Sequence, residues 1–126
     1  MSGMPGILID TDKLIDIEKG VEELPIEDCY ISIITVYEFI RGRADFLRAK
    51  SLLEELAGII DLDNKVIVKA TEIWRKLRKK GQIIDDRDLL IGATAIVYDL
   101  YLYTGNIKHF ERLKRFGLKF YKRAHE

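Results

Sequence analysis

The chain has 126 residues, 21 basic and 21 acidic side chains, two His and one Cys, and 48% of its residues are hydrophobic. That balance predicts one globular domain with its own core, spanning residues 1–126, and excludes disordered and fibrous classes. Cys29 alone rules out an internal disulfide framework, no apolar stretch approaches the roughly 18–20 residues of a membrane helix, and the N-terminus lacks the basic region of a secretory signal, so a cytoplasmic protein with no membrane partner is expected.

Gly3-Met4-Pro5-Gly6 reads as a short leader. Gly6 to Ile9 is an apolar run that ends in Asp10, the pattern of a strand buried on both faces of a parallel sheet. Thr11 is placed to cap a short helix with Leu14, Ile15 and Ile17 inward and Gly20 as its stop. Asp12 and Asp16 are expected on its solvated face. Cys29 to Ile34 is a second strand, followed by Thr35 and a helix from about Val36. A longer helix from Ala44 to about Leu56 carries Phe46, Leu47, Leu52 and Leu53, with Gly58 as its stop. Leu47, Leu52 and Leu53 fit either burial or an apolar strip for a partner helix.

Ile59 to Leu62 is a weak third strand. Asp63 or Asn64 caps a helix to about Lys80, which ends in a basic run that suits the negative end of the helix dipole. Asp85 or Asp86 caps the next helix, Asp88 to Tyr98. It is apolar nearly all round and therefore central. Leu100 to Thr104 is a fourth strand, Asn106 or Ile107 opens a helix, and Leu118 to Tyr121 is the last strand. His125 falls in a C-terminal stretch expected to be disordered. Strands alternating with helices predict an α/β domain with a mainly parallel sheet.

In such a sheet, ligands collect beyond the carboxyl ends of the strands. Asp10 and Asp12 follow strand one, Thr35 and Glu38 strand two, and Thr104, Gly105 and Asn106 strand four. Asp85, Asp86 and Asp88 open the central helix, so three to five carboxylates are expected to converge on one rim. Clustered carboxylates repel unless a cation neutralises them. An oxygen-only donor set suits Mg²⁺ or Mn²⁺, and no Cys/His spacing favours zinc. Each acid also has a purely structural role open to it. Thr35-x-x-Glu38 reads equally as a capping box, and Asp85, Asp86 and Asp88 as acids that complement a helix dipole.

Charge is segregated along the chain. Residues 1–64 hold 6 basic and 14 acidic side chains, and residues 65–126 hold 15 and 7. Either the halves pair with each other, or the protein has an acidic site for a cation and a basic surface for a polyanion.

Four blocks carry a family likeness: Leu8-Ile9-Asp10-Thr11-Asp12, Thr35-Val36-Tyr37-Glu38, Asp88-Leu89-Leu90-Ile91-Gly92-Ala93-Thr94-Ala95 and Tyr103-Thr104-Gly105-Asn106-Ile107-Lys108-His109-Phe110. In order and spacing the chain resembles PIN-domain nucleases, and among them the VapC toxins of VapBC toxin–antitoxin pairs. The resemblance implies a three-layer α/β/α sandwich with a central parallel sheet. It also implies a Mg²⁺- or Mn²⁺-dependent endoribonuclease, a homodimer, an RNA substrate and a cognate antitoxin that blocks the site. Carried over by position, Asp10, Glu38 and Asp88 are the implied metal ligands and Thr11 and Thr35 the hydroxyls beside the metal. Asn106 stands where many members have Asp, and His109 where some have an acid. Asp86 is an accessory carboxylate or a helix cap. Arg41, Arg43, Lys108 and Arg112 are candidates for gripping RNA. The competing readings are an RNA-processing nuclease outside a toxin system, a degenerate binding module, and a phosphoacceptor receiver domain. The last lacks adjacent acids after strand one.

Overall fold

The structure is a computed structural model that describes residues 5–123. Gly3, Met4 and His125 lie outside the described residues. Five strands form one sheet: β1 (Ile7–Ile9), β2 (Cys29–Ser32), β3 (Gly58–Ile60), β4 (Tyr101–Tyr103) and β5 (Lys119–Phe120). Their order is β3-β2-β1-β4-β5 and every pair is parallel. The helices are α1 (Thr11–Glu18), α2 (Ile33–Ile40), α3 (Phe46–Leu56), α4 (Asn64–Lys79), α5 (Asp86–Val97) and α6 (Ile107–Phe110). A 3₁₀ segment, Glu111–Phe116, follows α6.

The expected layers follow from strand alternation. All three β1 residues are fully buried, as a central parallel strand requires. Ile7 and Ile9 point to one face and join Leu14, Ile31, Val36, Phe39 and Leu53 beneath α1, α2 and α3. Leu8 points to the other and joins Ile73, Leu77, Leu89, Ile91 and Phe110 beneath α4, α5 and α6. Leu53 is therefore core, and only Leu47 and Leu52 of the expected strip are exposed.

Several element boundaries move, each for a local reason. Asp10, not Thr11, caps α1, its Oδ1 accepting the Thr11 N–H at 2.8 Å. Ser32 caps α2 by accepting the Ile34 N–H at 3.1 Å, so the helix begins earlier than Val36. Thr35 and Glu38 thus both lie within it, and no Thr35 capping box forms. Gly58 does not stop α3 but opens β3, where a Cβ would stand 2.8 Å from the Tyr30 ring. The final helix is a single turn that tightens into the 3₁₀ segment and stops at Gly117, which has φ +105°.

This topology places a crevice beside Asp10. The chain leaves β1 toward the α1 side of the sheet and leaves the adjacent β4 toward the α6 side. Neighbouring strands whose exits diverge in this way open a cleft at their carboxyl ends.

Candidate active site

Asp10 is the floor of that crevice and is only 1% exposed. A buried carboxylate needs partners for both oxygens. Thr104 at the end of β4 donates its hydroxyl to Asp10 Oδ2 at 2.8 Å. Oδ1 serves the α1 cap and also accepts from Arg87 Nη2 at 2.6 Å.

Arg87 organises the rest. Its Nη2 also meets Glu38 Oε1 at 2.8 Å, and its Nε meets Glu38 Oε2 at 2.9 Å. Its Nη1 meets Asp88 Oδ1 at 3.0 Å. One guanidinium thus bridges all three acids brought together from β1, α2 and α5. Thr11 Oγ1 donates to Glu38 Oε1 at 2.6 Å and lies 3.3 Å from Thr35 Oγ1, so both hydroxyls stand beside the cluster.

The electrostatics are uneven. Burial pushes Glu38 up, but the hydrogen bonds from Arg87 and Thr11 outweigh it and hold its carboxyl below the usual range. Burial of Asp88 outweighs its contact with Arg87 and holds its carboxyl above that range. Burial opposes the Arg87 charge, yet the bonds to Glu38, Asp10 and Asp88 raise its pKa well above normal. An arginine in the first turn of α5 faces the positive end of the helix dipole, so these acids are what make the position tenable.

Asp12 is not on a solvated face. It is half-buried, and its Oδ2 accepts the Gly105 N–H at 2.8 Å. Burial and then the neighbouring Asp10 raise its pKa. This bond ties the β4–α6 turn to α1 and sets Asn106 on the rim of the cleft. Asn106 itself is exposed, its N–H donating to Thr104 Oγ1 at 3.0 Å. His109 is also on the rim, with Nδ1 3.7 Å from Asp88 Oδ2. The cleft has a volume of about 760 Å³, and Arg41, Lys108 and Arg112 line its mouth.

Two candidates lie elsewhere. Arg43 is outside the cleft lining, forms a two-pronged pair with Glu18 at 2.7 Å and lies over the Phe39 ring. Asp86 lines a separate groove with Trp74 and Ile67 between α4 and α5, so it does not join Asp88.

As it stands the cluster is not an open chelate. Among the described residues no three His, Cys, Asp or Glu side chains are arranged to hold a metal ion by themselves. The donor set still fits a hard cation: its groups are carboxylates and hydroxyls, and a guanidinium already stands at their centre. Sequence reasoning missed Arg87, and it placed Asp12 at the rim by position while favouring a solvated helix face for its side chain. The signal for Arg87 was present, since a cation opening a helix between two acids runs against the dipole and calls for partners from elsewhere.

Comparison with known proteins gives a consistent result. The family model described as PIN domain matches residues 7–115. "Ribonuclease VapC1" of Methanocaldococcus jannaschii is 46% identical over 119 residues, covering 91% of this chain and 86% of that protein. The solved structure of VapBC-1 from nontypeable Haemophilus influenzae superposes with a TM-score of 0.75 at 24% identity, covering 93% of this chain and 97% of that one. A DNA-bound VapBC from Salmonella typhimurium gives a TM-score of 0.76, also at 24% identity, over 94% of this chain and 98% of that one.

Proposed function

The chain belongs to the PIN-domain family, and from that premise we propose that it is a divalent-metal-dependent endoribonuclease, the toxin of a toxin–antitoxin pair. One observation carries this reading: Asp10, Glu38 and Asp88, remote in sequence, meet around a single cation at the carboxyl edge of the sheet. Ribonuclease VapC1 of M. jannaschii, similar over most of its length, supports the RNA substrate.

Asp10, Glu38 and Asp88 would hold the Mg²⁺ or Mn²⁺ ion, with Thr11 bonded to Glu38 and Thr35 beside Thr11. A bound ion of this kind supplies Lewis-acid polarisation of a phosphoryl oxygen and makes a water more acidic. Asn106 orients a water or a phosphate oxygen at the rim. Arg41, Lys108 and Arg112 bind flanking phosphates, which gives affinity without sequence choice. Attack by water on phosphorus with departure of the 3′-oxygen leaves 5′-phosphate and 3′-hydroxyl ends, whereas attack by the ribose 2′-hydroxyl with departure of the 5′-oxygen leaves a 2′,3′-cyclic phosphate and a 5′-hydroxyl.

The partners in this reading are a cognate antitoxin and a second copy of the chain. Tyr37, Leu47 and Leu52 expose apolar surface on α2 and α3, and Val68 and Trp74 do so on α4. Such surface suits helix-in-groove or dimer contacts.

The test is incubation of the protein with a mixed RNA pool in Mg²⁺, Mn²⁺ or EDTA, beside the Asp88→Asn variant, with end-group analysis. Cleavage by wild type in metal alone, with 5′-phosphate ends, supports the proposal. Cyclic phosphate ends, or full activity of the folded variant, would refute it. The lodged guanidinium favours one second reading, a binding module without catalysis. Wild-type protein inert in both metals would select that reading.

A further inference from the structure

The guanidinium of Arg87 uses the very oxygens on which metal binding depends. Nη2 touches Asp10 Oδ1 and Glu38 Oε1, Nε touches Glu38 Oε2, and Nη1 touches Asp88 Oδ1, all between 2.6 and 3.0 Å. Few alternative oxygens remain. Asp10 Oδ2 is taken by Thr104, and Asp88 Oδ2 faces His109 at the rim. A Mg²⁺-sized ion holds its oxygens at roughly 2.0–2.1 Å and needs near-octahedral space around it. A guanidinium in hydrogen-bond contact with those same oxygens leaves no such space. Its fixed positive charge also repels a divalent ion across a half-buried site, where screening by water is weak.

From these contacts we infer that Arg87 and the divalent cation are alternative occupants of the acidic pocket. In the metal-free chain Arg87 bridges the three acids and offsets part of their charge. Binding of an ion requires its side chain to swing out into the cleft. The exit exists: the Arg87 side chain is 26% exposed, it stands on the first turn of α5, and the cleft beside it is about 760 Å³. Its new surroundings are the mouth where phosphate is expected, so the displaced cation remains useful there. The inference rests on the proposal that the pocket takes a metal ion, and its test separates the two.

Two measurements decide it. The first is Mn²⁺ titration of the metal-free wild type, Arg87→Gln and Arg87→Lys by calorimetry, with thermal melts in parallel. Arg87→Gln is expected to bind Mn²⁺ about tenfold tighter or more, because the ion no longer displaces a competitor. It is also expected to melt lower than wild type without metal and to gain more from metal. Arg87→Lys, which keeps the charge but not the fork, is expected to fall between. The second uses wild type alone, so a variant that fails to fold does not stall the test. The Arg87 Nε–H resonance, held by Glu38 in the metal-free protein, is expected to lose its protection from solvent exchange as Mg²⁺ is added. Wild type that binds the ion while this resonance stays protected overturns the inference and leaves the metal proposal standing. Folded Arg87→Gln that binds Mn²⁺ no tighter than wild type does the same. Absence of binding in every protein overturns both.

Discussion

Two acids on one guanidinium differ in what they do for the fold. Glu38 is held below its ordinary value, so its bonds add stability above the usual glutamate range and lose it as the pH falls through the lowered pKa. Asp88 is held above its ordinary value, so its ionised form is a burden at neutral pH that lifts as the pH falls through the raised pKa. Neutral isosteres should therefore act in opposite directions in metal-free protein at pH 7. Glu38→Gln should lower the melting temperature, and Asp88→Asn should leave it unchanged or raise it. Calorimetric melts in EDTA check this, and two shifts of the same downward sign would show that Arg87 serves both acids equally. Both variants should lose RNA cleavage by about a hundredfold or more, the cost expected when a group stabilising the transition state is removed.

At the scale of elements, the central helix owes its depth to a missing side chain. Gly92 lets α5 lie against the 3₁₀ segment, where a Cβ would stand 2.2 Å from Leu113 Cδ1, and Leu113 is fully buried. Gly92→Ala should cost about 1–3 kcal/mol through overpacking, read as a lower denaturant midpoint with an unchanged slope. A second close approach lies at the site, where a Cβ on Gly105 would stand 2.6 Å from Asp12 Oδ2. Gly105→Ala should push Asp12 off the Gly105 N–H and loosen the turn that carries Asn106. Cleavage should fall while the melting temperature moves little; equal loss of both would assign the turn a purely structural role. The Ser32 cap shows how a short polar residue changes an element's meaning. By starting α2 at Ile33 it places Glu38 about one and a half turns in, facing Thr11 and Arg87.

For the whole molecule, the segregated charge has two consequences. The acids of the first half meet Arg87 of the second across the sheet, and the basic residues Lys108 and Arg112 of the second half line the cleft with Arg41 of the first. RNA binding should therefore weaken with salt, with a log–log slope of roughly −0.7 per phosphate contact for a single strand. Arg41→Ala with Lys108→Ala should flatten that slope by about 1.4, measured by fluorescence anisotropy across a salt series. An unchanged slope would remove those two side chains from the phosphate path. Arg43→Ala, whose charge is spent on Glu18 outside the cleft, should leave the slope alone.

Much of this architecture was legible from local pattern. Apolar runs ending in Asp10 and Thr104, helical periodicity and capping residues depend on neighbours within a few positions, so the strands, the helices, their alternation and an acidic sheet edge could be read in one dimension. The choice of Asp10, Glu38 and Asp88 among the acids there came from the family likeness. Contacts between residues 77 and 93 positions apart could not. Nothing local distinguishes an arginine pointing to solvent from one buried among three acids, or an aspartate on a helix face from one holding a distant turn. Only the packing of α1, α2 and α5 around the crevice decided that Arg87 and Asp12 belong to the site while Arg43 and Asp86 do not, because that choice turns on which side chains the sheet's crossover brings to the same few ångströms.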